Sequence, residues 1–155
     1  MNIFYVDSDP IVAAKQLVDK HVVKMPLETA QLLCGAFPQG EAPYRRTHYN
    51  HPSAVWTRQS KENYEWLIKH GIALCEEYEQ RYQRSHKCRS VIDWCNYNQH
   101  KLSFESTGFV EPPQCMPNEC KVEGNPVAAY RNYYNIHKRS MYKWKNTLPP
   151  SWALV

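Results

Sequence analysis

A chain of 155 residues with 43% hydrophobic content has length for one domain, residues 1–155, whose core needs neither metal nor disulfides. Its five glycines argue against a glycine-rich phosphate loop and against a β-sandwich built on many tight turns. The net charge of +4 suits a polyanionic partner without specifying one. No stretch is apolar for long enough to span a bilayer, so no membrane partner is expected. Met1–Val6 reaches Asp7 after one short apolar run, unlike a secretory leader, so a soluble, cytoplasmic protein with mostly reduced cysteines is expected.

Along the chain, Asp9-Pro10 predicts a helix start, with Asp9 as cap and Pro10 in the first turn. Ile11, Ala14, Leu17 and Val18 carry a helical period that runs toward Gly35, with Pro26 imposing a kink or break. Residues 38–51 read as a loop holding Arg45, Arg46, His48 and His51 among tyrosines. Pro52 opens a further helical stretch. The clearest amphipathic pattern follows: Tyr64, Leu67, Ile68, Gly71, Cys75, Tyr78 and Tyr82 share one face. A short helix is expected over Ser90–Asn96, and an irregular loop with Pro112, Pro113 and Pro117 over 98–124. Asn125-Pro126 repeats the cap-then-proline signal before a final helix running to Met141, and an aromatic tail from Trp144 to Trp152 closes the chain. These elements predict an all-α fold of packed helices with long irregular loops.

The chemistry concentrates between Asp19 and Gln31. There His21, Lys24, Glu28 and Gln31 recur at steps of three, four and three, which places an imidazole, an amine, a carboxylate and an amide in one stripe of a helix. Val23, Leu27, Ala30 and Cys34 form the neighbouring stripe and read as the buried face. A base, a cation and an amide at the rim of a core make a plausible reaction site. The alternative is a solvated flank in which Lys24 and Glu28 form an i,i+4 ion pair. Arg45 and Arg46 offer planar phosphate recognition, with the loop's aromatics as stacking surfaces. On the last helix Arg131, Asn135 and Lys138 share a face. Cys88, Cys95, Cys115 and Cys120, with His86 nearby, lack the tight spacing of a zinc knuckle, so isolated thiols and no bound metal are expected. No Ser-His-Asp arrangement, Walker loop, dinucleotide fingerprint or metalloprotease helix is present.

The order Asp19-x-His21-x6-Glu28, followed by Lys24, Thr29 and Gln31 around the glutamate, His51-Pro52 with Trp56, and Gly71 with Cys75-Glu76-Glu77-Tyr78, resembles the pyrimidine-dimer DNA glycosylase family of the phage endonuclease V type. The similarity covers roughly the first 85 residues, with Tyr133-Tyr134 as a looser echo. The same half also resembles small proteins carried by tailed phages. The resemblance implies an all-α enzyme without a cofactor that acts on double-stranded DNA, releases a damaged or modified pyrimidine and then cuts the strand. It implies that an amine attacks the sugar, that Glu28 is the carboxylate supporting that step, and that His21 positions substrate. With Asn2 second in the chain, the amine is that of Met1, or Lys24 takes its place, or the Schiff-base step is lost. Candidate catalytic residues are therefore Glu28, His21, Lys24, Met1 and Asn2. Candidate nucleic-acid contacts are Gln31, Arg45, Arg46, His48, His51, Arg131 and Lys138. Leu27 and Gln31 stand where the family's glycosylase has arginines. The competing expectation is a non-catalytic protein that holds DNA or a nucleotide in the same pocket.

Overall fold

The computed structural model describes residues 1–155 and is all-α. Its helices are α1 (Pro10–Gln16), α2 (Asp19–Cys34), α3 (Pro52–Thr57), α4 (Lys61–Tyr82), α5 (Arg89–Asn98) and α6 (Pro126–His137). The helix starts follow their cap chemistry. Asp9 accepts the Ile11 and Val12 amides, His51 accepts that of Ser53, Ser60 that of Asn63, and Asn125 that of Ala128. Helix α4 is the central element: it packs against α1, α2, α3 and α5. Gly71 permits the closest approach, since a Cβ there would lie 2.9 Å from Thr29 Cγ2 and 3.2 Å from Ile92 Cδ1. The extended N-terminal segment is part of the core, with Ile3, Phe4, Tyr5 and Val6 all buried.

The single helical run expected from Pro10 to Gly35 is broken at Leu17 and Val18, which are both extended. The break is made by tertiary partners. Arg81, fully buried on α4, donates to the carbonyls of Lys15 and Leu17, at 3.0 and 2.8 Å. The Val18 amide reaches the Tyr134 hydroxyl, and that of Asp19 reaches the Lys143 carbonyl. Groups that a continuous helix would pair internally are thus satisfied by α4, α6 and the C-terminal tail. Arg81 also pairs with Glu77 and Asp19, each at 3.0 Å. The Asp19 carboxylate in turn accepts the Lys145 amide.

Pro26 lies inside α2 without ending it. Helix α6 stops at His137, short of Met141, and Arg139–Met141 forms a single 3-10 turn. The loop from Leu102 to Met116 is fastened rather than free. Trp56 Nε1 donates to the Val110 carbonyl, Asn63 accepts the Val110 amide, and Tyr130 donates to the Pro113 carbonyl. The aromatic tail docks on the end of α1, where Trp144 and Trp152 both donate to Gln16. No helix is long and apolar enough to cross a membrane.

Candidate active site and nucleic-acid groove

Helix α2 presents its polar stripe to a groove, though the assignment of its apolar stripe is corrected. Val23 and Leu27 are 43% and 36% exposed, while Val22, Met25, Pro26, Thr29, Ala30 and Leu33 face the core. Periodicity had fixed the angle between the stripes but not which of them the neighbouring helices cover. Val23 and Leu27 instead form an apolar floor beside the polar row.

Three concavities adjoin along this face. The first, about 420 Å³, is lined by Met1, Asn2, His21, Lys24, Glu28 and Lys138 among others. It shares Lys24 with a second, about 400 Å³, that carries Arg84 and Lys87. Leu27 and Lys87 lead on to the third, about 590 Å³, which holds Gln31, Arg45, Arg46 and Thr47. Glu28 is the one acidic side chain in the three; every Lys and Arg in them adds positive potential. The modest net charge of the chain is therefore concentrated along one groove.

Glu28 does not point into bulk water. Its side chain is 16% exposed, and Oε1 accepts the Asn2 amide at 2.9 Å and lies 4.0 Å from the Met1 amine. No Lys24–Glu28 ion pair forms; the carboxylate is turned toward the chain start. Asn2 shapes that start. Its Oδ1 accepts the amides of Ile3 and Phe4, and its Nδ2 donates to the Cys115 carbonyl on the long loop. The resulting turn leaves Phe4 at φ 57, a left-handed conformation that costs about 1–2 kcal/mol for a non-glycine residue. The Phe4 ring is held between His21, at 4.1 Å, and Tyr133, at 5.9 Å.

His21 is 5% exposed, and its Nδ1 lies 2.6 Å from the Tyr134 hydroxyl. Burial, helped by Lys138 and Lys24, pushes its pKa down to about 4, so the ring is neutral near pH 7. His51 caps α3, and its pKa is lowered by burial and by the Met1 amine, with Glu28 acting the other way. Arg46 is anchored by the Phe37 carbonyl and lies 4.4 Å over the Tyr49 ring, which Arg58 flanks from 3.7 Å. Arg45 is exposed in the third concavity and forms no ion pair. His48 is an exposed turn residue bonded to Thr47 and lines none of the three.

The shared face on α6 divides. Lys138 lines the first concavity above Tyr133. Arg131 is instead tied to the Val6 carbonyl and to Asp7, and stands over Trp152. Asn135 is consumed by Tyr142, Trp152 and Leu154. Sequence reasoning missed Lys20, Arg84 and Lys87, which carry no motif, and gave Tyr134 only as part of a looser echo of the family. The four later cysteines do not gather. Cys95 meets Cys34 at 3.7 Å, Cys88 meets Tyr44, and Cys115 meets Ser53. Cys120 lies beside Glu119 and His137, three donors within 4.8 Å of one another that could hold a metal ion outside the groove.

The family model described as pyrimidine dimer DNA glycosylase matches residues 1–90, more than half of the chain and the whole of α1 to α4. The chain belongs to the pyrimidine dimer DNA glycosylase family. No curated protein and no solved structure matches it. Membership supports a DNA glycosylase-type function with DNA as substrate. The matched segment contains Glu28, His21, Lys24 and the arginine loop, while Tyr133, Tyr134 and Lys138 come from beyond it.

Proposed function

We propose that this protein is a DNA N-glycosylase with strand-cleaving lyase activity toward a damaged or modified pyrimidine in double-stranded DNA. The observation that carries the reading is the Glu28 carboxylate, sheltered in a basic groove and facing the chain-start amine at 4.0 Å. An amine lone pair there attacks sugar C1′, the bond to the base nitrogen breaks, and its electron pair leaves with the base. Transfer of a proton from the amine nitrogen to O4′ then breaks the C1′–O4′ bond as the nitrogen lone pair closes a double bond to C1′, which gives the ring-opened Schiff base. Glu28 steadies the positive charge that develops on the sugar and can relay that proton. The Met1 amine is the preferred nucleophile. Were Met1 removed, the Asn2 nitrogen would begin the chain 2.9 Å from the same carboxylate. Lys24 reaches the same cavity and is the remaining amine.

In this reading Arg45, Arg46 and Lys87, which line the third concavity with Gln31, hold the DNA backbone. They supply from a loop and a helix junction the cations that positions 27 and 31 lack. His48 and Arg131 are left out of the proposed contact surface.

Duplexes carrying irradiated, chemically modified or abasic sites test the reading. Strand cleavage at one of the base-bearing sites, with free base released, is expected. Binding that weakens steeply with salt but yields no product from any duplex would contradict it, and would favour a non-catalytic DNA-holding role.

A further inference from the structure

The Tyr134 side chain is wholly buried on α6, outside the residues 1–90 that the family model matches. Its hydroxyl has two hydrogen-bond neighbours: the Val18 amide nitrogen at 3.3 Å and His21 Nδ1 at 2.6 Å. The Val18 amide can only donate, so it occupies a lone pair of the phenol oxygen. The hydroxyl proton must then find an acceptor, and His21 Nδ1 is the one within reach. If Nδ1 carried the ring proton, both neighbours would donate to the oxygen and the phenol proton would be stranded in the core. A buried donor left so costs about 1–3 kcal/mol. Nδ1 is therefore the acceptor, and a neutral imidazole then carries its proton on Nε2.

The Nε2 atom has no hydrogen-bond partner within the protein and is not among the sealed, unpartnered polar atoms, while His21 lines the first concavity. We propose that Tyr134 fixes His21 as the Nε2–H tautomer, so that the site presents a neutral N–H donor to an acceptor oxygen of the bound nucleotide. The nucleotide rests on the glycosylase reading; the tautomer rests on the hydrogen bonding alone.

The surroundings agree with that role. Lys20 and Lys24 of α2, Lys138 at the end of α6 and the Met1 amine face the same cavity, with Glu28 as the one carboxylate. The cavity is thus rich in donors and poor in acceptors. Burial, helped by Lys138 and Lys24, keeps the imidazole from charging, so it remains an uncharged donor while the lysines supply charge. Such a group favours a carbonyl, hydroxyl or phosphate oxygen and disfavours an amino group at the same place. Phe4 stacks on the face of the ring at 4.1 Å.

Nitrogen-15 NMR of the imidazoles in the folded full chain tests the proposal without DNA. His21→Asn identifies the His21 signals by their loss. The expected wild-type spectrum shows His21 with a protonated Nε2 and a bare Nδ1, and Tyr134→Phe turns this single tautomer into a mixture. A protonated Nδ1 in the wild type overturns the proposal, whether or not Tyr134→Phe folds. An unchanged tautomer in folded Tyr134→Phe overturns the part assigned to Tyr134. The expected tautomer in a chain that releases no base would uphold the hydrogen-bond assignment and defeat only the enzymatic reading.

Discussion

Glu28→Gln is expected to slow base release by roughly 100- to 10,000-fold, the usual range for losing a positioned acid–base group. The substitution keeps the shape of the side chain and an oxygen to accept the Asn2 amide, so the N-terminal turn should hold its place. It removes the negative charge that faces the Met1 amine and would face a cationic sugar. DNA affinity should stay the same or rise, because the lost charge is the single acidic side chain in a basic groove. Single-turnover base release, measured beside DNA binding and a thermal melt, separates these effects. Unchanged turnover in a folded variant would remove Glu28 from the reaction.

Arg81→Met should produce the largest loss of stability, about 3–5 kcal/mol, or a melting temperature lower by roughly 6–20 °C. The guanidinium is fully buried and answers two carboxylates, Glu77 and Asp19, as well as the carbonyls of Lys15 and Leu17. A methionine fills much of the volume but leaves those four acceptors without their donor. Adding Glu77→Gln and Asp19→Asn should recover part of the loss, since no unpaired charge then remains. Because Arg81 holds the break from which α2 starts, the single variant should also loosen His21 and Glu28. A melt unchanged by Arg81→Met would show that the network contributes little.

What the sequence disclosed and what it hid follow from the range of the interactions. Asp9-Pro10, His51-Pro52 and Asn125-Pro126 mark real helix starts because a cap acts on amides two or three residues away. The alternation of His21, Lys24, Glu28 and Gln31 is likewise local, and all four reach the groove. The break at Leu17–Val18 was hidden because its cause is Arg81, far along the chain, and no glycine or proline marks it. The exposure of Val23 and Leu27 was hidden because a helical period does not say which side a neighbour will cover. Arg131 looked like a free cation until Asp7 and Val6 were folded against it. Arg45, Arg46 and Lys87 line one concavity with Leu27 and Gln31, a grouping that only the fold brings together. Tyr134, wholly buried on α6, meets His21 through its one hydroxyl group, a contact across more than a hundred residues that no local pattern marks.

Borohydride reduction of the protein on an abasic duplex, followed by peptide mapping, probes the pairing of Glu28 with an amine at the chain start. A covalent adduct on the peptide that begins the chain, much reduced in Glu28→Gln, is the predicted outcome. Absence of any adduct, or an adduct confined to lysines outside the groove, would contradict it.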